Sequence, residues 1–326
     1  MKKILLIIII PLFSFTVISC SKKDSSSSSG TTTTTTDDTT NTSSGSGVFV
    51  TVGSSGNIVR STDNGASFDN VTSPTANLLV GVVFGNNTFV VVGNNGTILR
   101  STDNGLSFDN VTSSTINLLV GVGFGNNTFV AVGTSGNIVR STDNGTTWDN
   151  ATSSTANTLV GVVFGNNTFV AVGDNGTIVR STDNGSSFDN ATSPTATQLY
   201  GVVFGNNTFV GVGKSGTIVR STDNGSSWDN VTSPIDYYHG GVGFGNNTFV
   251  AVGSSGNIVR STDNGTTWDN ATTPTSNYLR GVGFGNNTFV ATGLSGNILR
   301  STDNGTTWDN ATTPTASDLY IVTFSE

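Results

Sequence analysis

Cysteine is almost absent from this chain of 326 residues: the single cysteine, Cys20, directly follows an apolar N-terminal run. One thiol cannot form a disulfide within the chain, so the folded part must be stabilised by packing and hydrogen bonds. Acidic residues outnumber basic ones by 21 to 13, and the basic residues form no continuous stripe. An acidic chain without a basic stripe argues against a nucleic-acid-binding protein.

The N-terminal run, residues 4–18, follows two lysines and is short for a membrane-spanning helix. Its length and flanks are typical of a signal peptide. It ends in Val-Ile-Ser-Cys, which resembles the lipobox of bacterial lipoproteins. We therefore predict a signal peptide at residues 1–19, a lipid on Cys20 and membrane attachment through that lipid. The alternative is an ordinary secretory signal with an incidental cysteine. By analogy with such lipoproteins, Ser21 at the next position implies the outer membrane.

Residues 20–47 consist mainly of Ser, Thr, Gly, Asp, Asn and Lys. A segment of this composition cannot bury enough apolar surface to offset the entropy lost on ordering. We predict that it is a disordered tether between the lipid and a folded domain.

The pentapeptide Ser-Thr-Asp-Asn-Gly recurs at a constant interval of 40 residues. Its seven copies begin at Ser61, Ser101, Ser141, Ser181, Ser221, Ser261 and Ser301. A fixed period in this range indicates a repeat architecture. One unit, residues 79–118, contains four β-rich runs at 79–84, 88–92, 97–102 and 107–112, separated by Gly/Asn turns. Four antiparallel strands in a unit of this length predict a propeller blade.

The two ends of the repeated region complement each other. It opens at residues 48–52 with a second-strand sequence and closes at residues 319–324 with a first-strand sequence. Pairing these ends in one blade would close the ring and leave no exposed edge. We predict an all-β, seven-bladed propeller of four-stranded antiparallel blades over residues 48–326, and a monomer.

The pentapeptide with an aromatic residue three positions after its glycine, as from Ser141 to Trp148, resembles the Asp-box or BNR repeat. Asp-box propellers include sialidases, sortilin-type receptors and xyloglucan-degrading hydrolases, and photosystem assembly factors form a related group. The resemblance implies the propeller fold but no particular activity, because the motif occurs in proteins of unrelated function. The predicted structural aspartates of this motif are Asp63, Asp103, Asp143, Asp183, Asp223, Asp263 and Asp303.

The turn position also sets the partner of a repeated arginine. If the turn centres on Asn104 and Gly105, Arg100 faces Asp109 across the hairpin. We therefore predict a cross-strand ion pair of this kind in every blade, which gives these arginines a structural role.

The repeats differ mainly in the loops between second and third strands and in the segments between blades. In an up-and-down blade both kinds of loop lie on one face, where propellers usually bind ligands. Clustered Tyr, Arg and His are typical of a binding patch, although drift after duplication is an alternative explanation. The predicted ligand-binding residues are Tyr200, Tyr237, Tyr238, His239, Tyr278, Arg280 and Tyr320. For His239, which replaces a leucine, a packed histidine is the default alternative.

These residues favour a binding module for a glycan or a protein over an enzyme. Glycosidases generally need two carboxylates, and sialidases a tyrosine nucleophile and an arginine triad. Here the only glutamate is Glu326, and Arg280 is the one arginine outside the repeated positions. Asp236, Asp318 and Tyr237 are the remaining catalytic candidates. We predict no cofactor and no metal. The alternatives are a sialidase-like enzyme and an assembly factor similar to the photosystem propellers.

Overall fold

The computed structural model describes residues 47–325. The predicted signal peptide, the lipid on Cys20 and nearly all of the predicted tether lie outside the described residues, as does Glu326. Within the described range, no helix is long and apolar enough to cross a membrane.

The described residues form seven sheets in a ring, each with an inner, second, third and outer strand, as predicted. The inner strands of blades 1 to 7 are Leu79–Gly85, Leu119–Gly125, Leu159–Gly165, Leu199–Gly205, His239–Gly245, Leu279–Gly285 and Leu319–Phe324. The second strands are Thr88–Gly93, Thr128–Gly133, Thr168–Gly173, Thr208–Gly213, Thr248–Gly253, Thr288–Gly293 and Phe49–Gly53. The third strands are Ile98–Ser101, Ile138–Ser141, Ile178–Ser181, Ile218–Ser221, Ile258–Ser261, Ile298–Ser301 and Ile58–Ser61. The outer strands are Asp109–Val111, Asp149–Asn150, Ser187–Asn190, Asp229–Val231, Asp269–Asn270, Asp309–Asn310 and Asp69–Val71.

Some elements depart from the predicted strands. Most outer strands are shorter than expected because the residues before them belong to the preceding turn. The short strand Thr152–Ser153 pairs in parallel with the outer strand of blade 3 and makes that sheet five-stranded. Single 3-10 turns follow six of the second strands, at Ser54–Gly56, Asn94–Gly96, Thr134–Gly136, Asp174–Gly176, Ser254–Gly256 and Leu294–Gly296.

The predicted ring closure is confirmed. Leu319–Phe324 pairs antiparallel with Phe49–Gly53, so blade 7 takes its inner strand from one end of the folded region and the other three strands from the opposite end. The rings of Phe49 and Phe324 pack with centroids 4.7 Å apart across this pairing. This pairing covers the edge of the second strand Phe49–Gly53, which would otherwise be open to association with another strand.

The core lies in layers between neighbouring blades. Every residue of the second strands is buried, because adjacent sheets cover both of their faces. Close packing also explains the glycine that ends most inner strands. A Cβ atom on Gly85 would lie 2.1 Å from Cδ1 of Phe124, whose ring packs against it from the next blade.

Each Ser-Thr-Asp-Asn-Gly turn is held together by its aspartate. In blade 1, Asp103 Oδ1 accepts hydrogen bonds from Ser101 Oγ at 2.7 Å and from the backbone N–H of Ser107 at 3.0 Å. The hydroxyl of Ser107 donates to Asp103 Oδ2 at 2.5 Å. Gly105 has φ of +79°, a left-handed conformation that glycine adopts without a steric penalty. The serine-to-aspartate bond recurs at Asp63, Asp143, Asp183, Asp223, Asp263 and Asp303.

These bonds keep the aspartates ionised. Desolvation acts to raise the pKa of Asp103, but hydrogen bonds from Ser107 and Ser101 outweigh it and lower the pKa from 3.8 to about 2. The same balance lowers the pKa of the other six turn aspartates.

The turns also join neighbouring blades. The predicted register of Arg100 opposite Asp109 is confirmed. However, the hydrogen bond from Arg100 Nε goes to the carbonyl oxygen of Asn144 in the next blade, at 2.8 Å, and Asn144 Nδ2 donates back to Thr88 Oγ1 at 2.7 Å. The arginine thus acts as a link between blades, because its side chain lies along the blade boundary. The same arginine link occurs at Arg60, Arg220, Arg260 and Arg300.

The two kinds of loop lie on opposite faces of the ring. Asn86, between the inner and second strands, donates to Asn144 in the pentapeptide turn of the next blade at 3.2 Å, so both constant turns share one face, the turn face. On the other side, the backbone N–H of Asn94, after a second strand, donates to the carbonyl of Leu78 in a blade-to-blade segment at 2.9 Å. The variable loops therefore share the opposite face, which we call the mouth face.

Candidate ligand-binding face

A cavity of about 800 Å³ occupies the channel at the centre of the ring. It is lined mainly by the inner strands of all seven blades, which contact their neighbours around the ring. The walls are mostly valine and glycine, so the body of the channel is apolar. This volume falls in the range of about 300–1,000 Å³ that is usual for small-molecule sites.

A β-bulge near the start of each inner strand positions the side chains at the channel mouth. In blade 6, Leu279 pairs with Gly293 and Gly281 pairs with Thr292, so Arg280 has no partner in the ladder. A bulged residue turns its side chain out of the regular alternation. Leu279 is consequently fully buried, while Arg280 lines the cavity. The seven cavity-lining residues at this position are Val80, Val120, Val160, Tyr200, Gly240, Arg280 and Tyr320.

Arg280 lies between two tyrosine rings. Its Cζ atom is 5.1 Å from the ring centroid of Tyr278 and 4.5 Å from that of Tyr320. Contact with both rings restrains the guanidinium, whose N–H donors all lie in its own plane. Arg280 Nε is shielded from solvent and has no hydrogen-bond partner among residues 47–325. Arg280 therefore reaches the cavity through its terminal Nη groups and not through Nε.

Lys214 adds a second positive charge that the sequence prediction did not include. It follows the second strand of blade 4, and its Nζ atom lies 5.9 Å from the ring centroid of Tyr238. Both residues line the cavity. The available signal was that Lys214 is the only lysine in the repeated region, at a position where other repeats have Ser, Asn, Thr, Asp or Leu.

The two remaining predicted residues lie elsewhere. Tyr237 is 52% exposed and lines a shallow groove with Ile235 and Asp236, outside the channel. His239 occupies the buried leucine position of the inner strand, with 0% exposure, so the ligand-binding role predicted for it has no contact surface. Its Nε2 lies 3.4 Å from Ser233 Oγ, and burial lowers its pKa from 6.5 to about 4. His239 is thus a packed, neutral histidine, which was the alternative to a ligand-binding role.

The hydroxyls of Tyr200 and Tyr278 at the mouth have raised pKa values and stay protonated. Burial raises the pKa of Tyr200, and the neighbouring Tyr278 and Tyr238 raise it further. Burial also raises the pKa of Tyr278, against an opposing effect of Arg280. Neutral hydroxyls can donate hydrogen bonds to an anion.

No carboxylate is among the residues that line the cavity. Asp174 accepts a hydrogen bond from Gln198, and Asp318 Oδ1 accepts one from the backbone N–H of Ser295 at 2.9 Å. Asp236 lies in the groove with Tyr237. Across residues 47–325, no three His, Cys, Asp or Glu side chains converge where they could hold a metal ion. In an acidic protein of net charge −8, the channel mouth is a positive site.

No family model matches the sequence, and the search of curated proteins finds no match. Solved structures share the fold. One is YCF48 bound to D1 peptide, with TM-score 0.60, 18% identity, and coverage of 73% of this chain and 81% of that chain. YCF48 from Cyanidioschyzon merolae gives TM-score 0.61 at 16% identity, covering 75% and 88%. The computationally designed Ika8 protein gives TM-score 0.63 at 13% identity, covering 86% and 88%. At these identities the likeness establishes the propeller fold and nothing about activity.

Proposed function

We propose that this propeller is a non-catalytic binding module for a polypeptide, and that it binds through the mouth surface. This surface consists of Tyr200, Lys214, Tyr238, Tyr278, Arg280 and Tyr320. One observation carries the proposal. Side chains that depart from the repeat in four different blades line the same cavity. Tyr and Arg are the residues most enriched at the energetic centres of protein interfaces.

A polypeptide suits this surface better than a glycan. Sugars stack on open aromatic faces, but here Arg280 stacks on Tyr278 and Tyr320, and Lys214 lies over Tyr238. The opposite side of the mouth carries the aliphatic Val80, Val120 and Val160. Aliphatic contact beside positive charge suits apolar and acidic side chains. The structural neighbour solved with a bound peptide is consistent with such a partner.

We propose no catalytic role for this face. General acid–base chemistry needs a titratable group that reaches the substrate. Asp174 and Asp318 lie outside the cavity lining and already accept hydrogen bonds, and His239 is fully buried. Raised pKa values keep Tyr200 and Tyr278 protonated, and tyrosine nucleophiles in sialidases act with acidic partners that this cavity lining lacks.

We further propose that the pentapeptide turn is an Asp-box and that the protein is a lipoprotein. The Asp103 hydrogen bonds support the first proposal. The sequence before Cys20 supports lipidation, and Ser21 directly after it supports attachment to the bacterial outer membrane. Replacing Cys20 by Ala should release the protein from membranes or leave the signal uncleaved, as fractionation would show. Membrane retention after signal removal would contradict the lipid anchor.

The binding proposal is tested by screening the full chain on arrays of diverse peptides and of glycans. The matched variant carries, at four mouth positions, the residues of the aliphatic blades: Tyr200→Val, Tyr238→Leu, Tyr278→Leu and Tyr320→Val. We expect peptide binding that weakens at least tenfold in this variant, about 1.4 kcal/mol or more. Leu106→Thr, an exposed change on the turn face, is the control and should bind normally.

Two results would contradict the proposal. One is peptide binding that the mouth variant retains in full. The other is turnover of a sialoside or another glycoside that disappears on substitution of Asp236 or Asp318, since that would indicate an enzyme.

A further inference from the structure

The channel beneath the mouth surface has a composition of its own. Arg280 supplies a cationic group at the entrance, Val120 and Val160 stand at the equivalent position of other blades, and the walls below are mostly valine and glycine. Blade 6 lies across the ring from blades 2 and 3, so Arg280 faces the aliphatic Val120 and Val160 over the cavity. The pocket therefore suits a ligand that has one polar end and an apolar body.

The polar end of the ligand must be an anion that binds in the guanidinium plane. The N–H donors of Arg280 all lie in the guanidinium plane, and the rings of Tyr278 and Tyr320 lie close to its Cζ atom. A carboxylate accepts two parallel hydrogen bonds from such an edge, which makes this pairing both strong and directional. Because Nε of Arg280 is shielded from solvent, the terminal Nη groups are the donors that a ligand in the cavity can reach.

The charged groups around Arg280 favour a ligand with a carboxylate over a ligand with a positive charge. No Asp or Glu lines the cavity, and Lys214 adds positive charge at the rim. A cationic or zwitterionic ligand would meet repulsion here without a compensating carboxylate.

We propose that the central channel is a binding site for a carboxylate carried on an apolar body, with the carboxylate paired edge-on with Arg280 and the body lying along Val120 and Val160. The carboxylate can belong to a small organic acid or to the C-terminus of a polypeptide. The proposal goes beyond the mouth surface as a polypeptide-binding face, and it shares Arg280 with that function.

The test is isothermal titration of the full chain with phenylbutyrate and with its neutral amide. A short peptide ending in leucine, with a free C-terminus or a C-terminal amide, forms the second arm. We expect the acid of at least one pair to bind roughly 10- to 100-fold more tightly than its amide, as hydrogen bonds to charged groups imply. Preference in the first arm identifies a small acid, and preference in the second arm alone identifies a polypeptide end.

Arg280→Val is the matched variant, because valine stands at this position in three other blades. It should remove the preference for the acid while leaving the thermal unfolding temperature unchanged. Arg280→Lys, which keeps the charge but loses the planar fork, should retain only part of the preference. Lys214→Ser, the residue of two other repeats, should leave most of the preference intact.

The inference is overturned if acid and amide bind equally, if none of these probes binds, or if Arg280→Val keeps the preference. Its failure can be told apart from that of the polypeptide proposal. If phenylbutyrate binds and no peptide on the array does, the result supports the channel site alone. Array peptides that require the tyrosines, without any preference for acid over amide, support the mouth surface alone.

Discussion

On the turn face the same residues make the same kinds of hydrogen bond in blade after blade, whereas on the mouth face the loops differ between blades. The turn face holds each blade to its neighbour, as Arg100 does through Asn144. The mouth face rests on an equally regular backbone, including the bulge before Gly81 and the bulge before Gly281. The difference therefore lies in the side chains and not in the fold.

This contrast shows how a repeat protein can acquire a site without weakening its scaffold. The bulged residue is Val80 in blade 1 and Arg280 in blade 6, and it lines the channel in both. Because its side chain is outside the inter-blade core, it can change without disturbing the packing. His239 is the exception, since it changes a core position on the mouth side of the ring.

The largest effect should come from breaking the ring on which both faces depend. Deleting residues 316–326 removes the inner strand Leu319–Phe324 and exposes the edge of Phe49–Gly53. We expect aggregation or loss of cooperative thermal unfolding, measured by calorimetry and light scattering. Removing Glu326 alone is the control. A truncated protein that melts like the intact chain would contradict the closed ring.

The next effect concerns His239 and pH. Because burial lowers its folded-state pKa from 6.5 to about 4, the unfolded chain binds the proton more readily between these values. Stability is therefore complete above pH 6.5 and falls as pH drops towards 4, by about 2–3 kcal/mol at most. In His239→Leu, which restores the residue of the other inner strands, urea midpoints should be higher and should lose this dependence. An unchanged pH profile would contradict a buried neutral histidine.

A smaller effect should come from breaking one turn. Asp103→Ala removes the acceptor of the Ser101 and Ser107 hydrogen bonds and should cost about 1–2 kcal/mol of unfolding free energy. The pH range in which Asp103 loses its stabilising effect should lie below the range in which His239 does. Asp103 is stabilising above about pH 3.8, and this stabilisation is lost as pH falls towards about 2. Peptide binding at the mouth should not change. If it does, the two faces are coupled.

The smallest effect on stability should come from the mouth face itself. Tyr238→Leu and Tyr278→Leu replace partly exposed side chains by the residue of blades 1 and 2, and should each change the unfolding free energy by about 0.5 kcal/mol or less. Urea denaturation measures this directly. A loss comparable to that of Asp103→Ala would show that the tyrosines are part of the scaffold.

Much of the fold could be read from the repeat. The spacing of the pentapeptide predicted one blade per repeat. The strand types at the two ends predicted the pairing of Leu319–Phe324 with Phe49–Gly53. The register of Arg100 opposite Asp109 followed from the position of the turn. These features are local or pairwise, so pattern and turn chemistry suffice. The partner of Arg100 did not follow, because it depends on how blades pack against one another.

The candidate site was predictable only in part. Departures from the repeat pointed to Tyr200, Tyr238, Tyr278, Arg280 and Tyr320, all of which line one cavity. The same reasoning included Tyr237 and His239, because sequence gives the loop but not the direction of a side chain. Lys214 was left out because it belongs to a different loop class, and only the folded ring brings that loop beside Tyr238.

The sequence by itself determined the number of blades, their strand order and the closure of the ring, because a period of 40 residues with fixed turn chemistry permits few alternatives. The tertiary structure alone decided that the bulge aims Arg280 into the channel, that Tyr278 and Tyr320 stack on it, and that His239 is buried. These outcomes depend on distances between residues far apart in the chain, which only the packed ring brings together.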